Sequence, residues 1–363
     1  MNKAEERVLK AVRYERPDRL PTYDWFWPEF MGNWHREKGR QLDIYDHYRL
    51  DVRNVGADIS PNPASFKILE KTDQHVVFRN GWGMLCRKVH DAAMLEFLEF
   101  PIQNEKDFSH YVFFDPAASR RYNEAFVDDL SLDKVSPFAE QVERYGETFC
   151  LLGAVLDPYE SLWRLRGVEQ ILIDMIDNPR VFKMMISEVT EFMIQIGLEQ
   201  IRAGQLPAII ILGDVAFKNG PFFSPQMYRD MIFPHLRKMV HCFKAEGALV
   251  FYHTDGNCSA LIDMFIEAGI DVLNPIEVAA GMDLTDLKRK YGKQLAYMGG
   301  FDKRRLFDKQ DIEDEVKSKV NAFPTGGLIA SIDHSVGPDI PVENYEYYLK
   351  LIKEINIQAM EQI

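Results

Sequence analysis

PAIIILGD (residues 207–214), ALVFYHTD (248–255), DVLNPIE (271–277), QLAYMGGFD (294–302) and LIASIDH (328–334) are the stretches that decide the fold. Each is a short apolar run that stops at polar or glycine residues, the pattern of buried parallel strands. Longer stretches of helical period lie between them. SPQMYRDMIFPHLRKMVHCFKAEG (224–247) offers Ser224 as N-cap and Pro225 at the first helical position. SALIDMFIEAG (259–269) and DIEDEVKSKVNAF (311–323) likewise open on capping or acidic residues. Strand and helix alternating in this way build a parallel sheet from βα units.

Upstream, RLPTYDWFW (19–27), NVGADI (54–59) and FCLLGAVLD (149–157) read as further strands. VVFRNGWGMLCRKVH (76–90) reads as a β-hairpin turning at Asn80-Gly81. Leaving that hairpin out as an insertion, the strands number eight. They predict an α/β fold: a (β/α)8 TIM barrel with an N-terminal helix and a β-hairpin insertion. A doubly wound open sheet fits the same pattern. No linker, repeat or composition shift interrupts the chain, so residues 1–363 are expected to form one domain.

The composition is that of a globular protein, 46% hydrophobic and 27% charged over 363 residues. The net charge of −13, with no long basic run, argues against nucleic acid as a partner. MNKAEERVLKAVRYERPDR reads as a charged amphipathic helix rather than a signal peptide, and no apolar stretch approaches a membrane span. A cytoplasmic protein without membrane contact is expected, and a homodimer is left open. Cys86, Cys150, Cys242 and Cys258 are far apart, so neither a disulfide framework nor a thiolate zinc site is signalled.

The strand ends carry the candidate chemistry. Asp214, His253 with Asp255, Glu277, Gly299-Gly300 with Asp302, and Asp333 with His334 close five consecutive strands. In a βα barrel such ends meet at one mouth, where catalytic groups are supplied. His253 and Asp255, two residues apart, point to one side if the strand persists. Together with His334 they offer ligands for zinc or another divalent metal, or an acid/base pair without one. Asp214 and Glu277 are candidate catalytic carboxylates, although each also suits a cap or a loop. Gly299-Gly300 is either a close approach to a ligand or a tight turn. In the aromatic cluster Tyr23, Trp25, Phe26, Trp27 and Phe30, Trp25 and Trp27 are candidate walls for a flat ligand, and the cluster also suits a core. Tyr252, Asn257 and Asp302 complete the expected substrate contacts.

FFSPQMYRDMIFPHLRKMV, FYHTDGNCSALIDMFIEAGIDVLNPIE, LAYMGGFDKRRLF and DHSVGPDIPVENY resemble, in order and spacing, the uroporphyrinogen decarboxylase superfamily, which includes cobalamin-dependent methyltransferases. The resemblance implies a (β/α)8 barrel with its cavity at the strand C-termini. His334 resembles a histidine of the decarboxylases at the end of the last strand. HTDGN (253–257) resembles the H-x-C-G-N segment of the zinc-dependent methyltransferases, with Asp255 and His334 standing where those enzymes have thiolates. Asp58 in GADISP resembles the aspartate that gathers pyrrole NH groups, whereas the decarboxylase tyrosine falls on Ser161. The arginine-rich motif that engages substrate carboxylates is missing, since its place reads TYDWFWPEF.

These matches and departures imply methyl transfer from a small methylated donor to the cobalt of a corrinoid protein. A divalent metal on His253, Asp255 and His334 would assist, with Asp214 or Glu277 orienting the substrate. A decarboxylase of a pyrrole or other aromatic acid, working through Asp58 and His334, is the alternative within the resemblance. A tetrapyrrole or corrinoid binding protein without catalysis is the third reading.

Overall fold

In the computed structural model, which describes residues 1–90, 95–128 and 132–355, seven parallel strands pair in chain order. They are β1 (Val52–Asn54), β2 (Cys150–Leu156), β3 (Ala208–Leu212), β4 (Leu249–His253), β5 (Val272–Asn274), β6 (Ala296–Met298) and β7 (Leu328–Ile329). The sheet closes on itself through residues 21–26. There the Ala330 N–H donates to the Pro21 carbonyl, the Tyr23 N–H to the Ala330 carbonyl, and the Asp51 N–H to the Thr22 carbonyl. This eighth stave is bonded on both sides, so the fold is the expected barrel.

Two strand assignments shift for local reasons. The stretch 19–27 makes only isolated bridges, Thr22 to Ala330 and Phe26 to Val336, and Pro21 has no N–H to extend the ladder. The strand expected at 54–59 is instead Val52–Asn54. Just beyond it the buried Arg121 guanidinium donates to the carbonyls of Asp58, Ser60 and Pro61, which draws that segment off the barrel.

Side chains alternate between two layers, as strand geometry requires. Leu152, Ile210, Phe251, Val272, Met298 and Ile329 fill the barrel interior, while Ile209, Ile211, Val250, Tyr252 and Leu273 face the surrounding helices. The N-terminal helix Lys3–Val12, capped by Asn2, plugs the far end with Val8 and Val12. Among the described residues no helix is long and apolar enough to cross a membrane, and Cys150, Cys242 and Cys258 are free thiols.

Ser224 and Pro225 start a helix as expected, the hydroxyl accepting from the Met227 N–H at 3.2 Å. The segment divides, however, into Pro225–Met231 and Phe233–Ala245, because Pro234 lacks the donor a continuous helix needs. The hairpin turns at Asn80, whose side-chain oxygen accepts from the N–H groups of Trp82 and Met84. It is larger than expected: His75–Arg79 and Leu85–Val89 are flanked by Lys67–Lys71 and Glu96–Glu99 in a four-stranded antiparallel sheet. The outer strands, KILEK and EFLE, are exposed, and their adjacent apolar residues between charged ends lack the alternation that marks a half-buried strand.

Asp24 and Asp51 hold the closing stave. Asp51 is buried, accepts from both the N–H and the hydroxyl of Thr22, and pairs with Arg7 and Arg19. Asp24 accepts from the Ile332 N–H, the Ser331 hydroxyl and the Tyr345 hydroxyl. Its complete burial outweighs these donors and lifts its pKa to about 7. The folded protein therefore keeps this proton up to about pH 7, whereas the unfolded chain releases it near pH 4. Raising the pH across that window favours unfolding, by at most about 1.4 kcal/mol per pH unit. Thermal melts of wild type and Asp24→Asn should show the variant gaining on wild type from pH 5 to pH 8. A difference in Tm that does not change with pH would refute the assignment.

Candidate active site

At the C-terminal ends of the strands, β4 delivers His253 to the mouth, and the turn after it delivers Asp255. Gly256 permits this path. Its φ is +79°, and a Cβ there would fall 2.6 Å from the Ala216 carbonyl oxygen. The Asp255 N–H donates to Asp214 Oδ1 at 2.9 Å, and the Gly256 N–H to Glu277 Oε2 at 2.8 Å. Both candidate carboxylates thus brace the loop that carries Asp255.

The tautomer of His253 follows from its neighbours. Asn274 donates its amide N–H to the Met298 carbonyl at 2.8 Å, which leaves its oxygen facing His253 Nδ1 at 2.7 Å. Nδ1 therefore carries a proton, and Nε2 is the nitrogen turned to the mouth. Nε2 lies 3.7 Å from Asp255 Oδ1, a buried oxygen with no hydrogen-bond partner among the described residues. Asp214, His253 and Asp255 each offer a ligand atom, all within 4.8 Å of one another.

His334 stands one step outside this cluster. Its Nε2 is 3.4 Å from Asp255 Oδ2. The hydrogen bond with Asp255 raises the pKa of His334 against the opposing effect of burial. Burial pushes the Asp255 carboxyl up, but the hydrogen bond from His334 and the charges of His253 and His334 bring it below the usual range. Asp214 is raised by burial and by the Asp255 charge, with His253 opposing; it keeps solvent access, which limits the effect of burial. The expected ligand set His253, Asp255 and His334 is thus regrouped, with Asp214 in the cluster and His334 as the ion-pair partner of Asp255.

Trp25 lies against His253, ring centroids 5.5 Å apart, and with Tyr23 it walls a narrow cavity of about 80 Å³ that also contains Asp255 and His334. Phe26 and Phe30 pack instead on Tyr345 in the core. Trp27 precedes the helix Pro28–Lys38, with its backbone N–H donating to the Val336 carbonyl and its side chain half-buried. The remaining expected substrate contacts are engaged elsewhere. Tyr252 points outward, fully buried, with its hydroxyl on Asp157 at 3.0 Å. Asn257 donates to the Ala280 carbonyl and accepts from the Ser259 N–H. Asp302 caps the turn Lys303–Arg305 and pairs with Arg304. Asp333 accepts from the N–H groups of Val278 and Lys303, tying two loops of the rim. Gly299 is the tight turn: a Cβ there would meet the Pro275 carbonyl oxygen at 1.8 Å.

Asp58 accepts from the N–H and hydroxyl of Ser60 and lines a cavity of about 500 Å³ on the β1–β3 side of the mouth. Arg120 and Arg164 share its wall with Asp58, Glu124 and Asp128. A third cavity, of about 590 Å³, runs from Asp214 beneath the antiparallel sheet. Sequence reasoning passed over Tyr159, Arg164 and Asn274 in these walls. For Asn274 a signal existed: it ends β5 opposite His253 in the parallel register.

Comparison with known proteins agrees with this architecture. Residues 105–355 match the family model described as uroporphyrinogen decarboxylase (URO-D). Uroporphyrinogen decarboxylases of Campylobacter concisus and Campylobacter lari are 27% and 26% identical over 182 and 186 residues, 49% of this chain in each case. The chain spans about half the length of these curated relatives. A solved structure of a methyltransferase from Methanosarcina mazei superposes with a TM-score of 0.67 over 98% of this chain and 99% of its own, at 14% identity, a likeness of fold. With its family-model match running from the helix Glu105–His110 to the end of the last described helix, the chain belongs to the uroporphyrinogen decarboxylase family.

Proposed function

We propose that the protein is a methyltransferase that passes the methyl group of a small methylated donor to the corrinoid of a partner protein, assisted by a divalent metal. One observation carries the reading: a histidine whose Nδ1–H is held by Asn274 turns Nε2 towards an orphaned buried carboxylate oxygen, with a second carboxylate in reach. With Nε2 deprotonated, as a metal ligand requires, two acceptors would face each other and suit a cation. His253, Asp255 and Asp214 would hold it, and their nitrogen and oxygen donors suit zinc or a harder divalent ion. When bound, the ion supplies Lewis acidity to the heteroatom of the donor.

The residues of the chain supply the rest. The reduced cobalt contributes the electron pair for the new cobalt–carbon bond, while the electrons of the broken carbon–oxygen bond stay on oxygen. That oxygen needs a proton. His334, its proton affinity raised by Asp255, is the imidazolium placed to give it. Asn274 orients His253, and Trp25 covers its ring and restricts water.

A decarboxylase is the second reading, supported by the names of the relatives and by Asp58 in the large cavity. Against uroporphyrinogen itself, that wall carries Asp58, Glu124 and Asp128 beside its two arginines, a poor match for a substrate with many carboxylates. Carbon dioxide released from uroporphyrinogen by wild type and not by Asp58→Asn would establish this reading over the first.

Elemental analysis of the purified protein should find about one divalent ion per chain, absent from His253→Ala; a metal-free wild type would remove the metal from the mechanism. Asn274→Ala should weaken metal affinity roughly ten- to a hundredfold through loss of the oriented imidazole, measured by competition with a chelating dye. Incubation with methoxy donors and cob(I)alamin should yield methylcobalamin. Its absence at every divalent supplement would reject methyl transfer.

A further inference from the structure

We infer that the cavity beside Asp214 binds a neutral aryl methyl ether, which makes this the class of methyl donor; the donor role, though not the binding, rests on the methyl-transfer reading. The cavity lies between the antiparallel sheet and the helix Pro158–Arg166, with a volume of about 590 Å³. Met84, Leu95, Phe97, Phe100, Trp163 and Phe222 make most of its wall. Pockets of roughly 300–1,000 Å³ with apolar, aromatic walls accommodate ring-containing ligands. A one-carbon donor, close in size to a water with its share of about 30 Å³, would leave nearly all of it empty.

Polar groups on the wall decide the character of the ligand. Glu160 is held by Arg164 and accepts from Trp163 Nε1 at 2.6 Å, so the charges of that pair cancel. Asp214 is the remaining charged group there, and it disfavours an anionic ligand. Tyr159 is fully buried on the wall, its ring against Phe222 and Phe223 and its hydroxyl sealed from the cavity, so it adds an aromatic face and no polar contact.

The aryl ether also fits the chemistry at the Asp214 end. That carboxylate belongs to the same cluster as His253 and Asp255, so a ring in the cavity with its methoxy group towards Asp214 brings the reacting carbon to the mouth. Breaking the methyl–oxygen bond leaves a phenolate, which takes a proton as the corrinoid cobalt takes the methyl group. A phenol, with a pKa near 10 like that of tyrosine, is a better leaving group than an aliphatic alcohol.

Calorimetric titration of the purified protein with 2-methoxyphenol and with methanol tests the inference without turnover. Saturable binding of 2-methoxyphenol and none of methanol are expected. Tyr159→Phe should bind as wild type does and leave Tm unchanged or higher, since the hydroxyl it removes is sealed from the cavity and has no partner among the described residues. Val168→Trp, at a half-exposed position on the same wall, should fill the cavity and weaken binding more than tenfold. Failure of 2-methoxyphenol to bind, or equal binding by Val168→Trp and wild type, would overturn the inference. Methylcobalamin formed from methanol, with no aryl-ether binding, would refute it and keep methyl transfer; aryl-ether binding without methylcobalamin would support the site and refute methyl transfer.

Discussion

Closure of the barrel depends on two buried carboxylates. Seven strands of a parallel sheet leave β1 and β7 as open edges, and the segment that joins them is too irregular to do so by its own ladder. Asp51 binds Thr22 on the β1 side and draws Arg7 and Arg19 to the same point, which also anchors the N-terminal plug helix. Asp24 gathers donors from Ser331, Ile332 and Tyr345 on the β7 side. Removing one partner of such a buried set leaves uncompensated charge or unsatisfied donors, which costs far more than the loss of a surface pair. The chemistry at the mouth depends on this closure, because Tyr23 and Trp25, which wall the His253 site, sit on the segment the two aspartates hold.

From closure, strand parity does the positioning. Phe251 and His253 face inward on β4 and Tyr252 faces out, so one strand contributes to the core, the site and the helix layer in successive residues. That parity was readable, and it argues against Tyr252 as a substrate contact as firmly as it argues for His253. The apolar runs ending at Asp214, His253, Glu277 and His334 were legible for the same reason: burial on both faces leaves no polar residue until the strand emerges. Asp302 and Asn257 were ambiguous because acids and amides after a strand serve turns and caps as readily as ligands.

What was not legible depends on contacts between distant segments. The two flanking strands of the antiparallel sheet are exposed and charged at their ends, and only pairing with the hairpin reveals them. The third cavity exists because that sheet lies over the helix Pro158–Arg166. Tyr159 and Arg164 therefore carried no local signal, although both line its wall. The sequence seemed to offer the mouth no arginines, yet the fold brings Arg120 and Arg164 into it from outside the first strand. Arg164 pairs with Glu160, and Asp58, Glu124 and Asp128 share the wall with Arg120, which leaves it without the cationic excess that a many-carboxylate substrate requires.

The departures from the thiolate pattern then acquire a single physical account. A thiolate at position 255 would bring its own charge and softness to a cation. Asp255 brings charge but needs a neighbour to keep it ionised in a partly buried site, and His334 meets that need with an ion pair. The same pairing occupies one carboxylate oxygen and leaves the other turned to His253. Asp214, braced on the Asp255 N–H, restores the third donor that His334 gives up by turning to this role. Carboxylates at two positions and imidazole at one make a harder donor set than two thiolates and an imidazole. In the proposed metal site such a set would favour oxygen-bearing ligands, in keeping with the methyl–oxygen bond proposed to be broken.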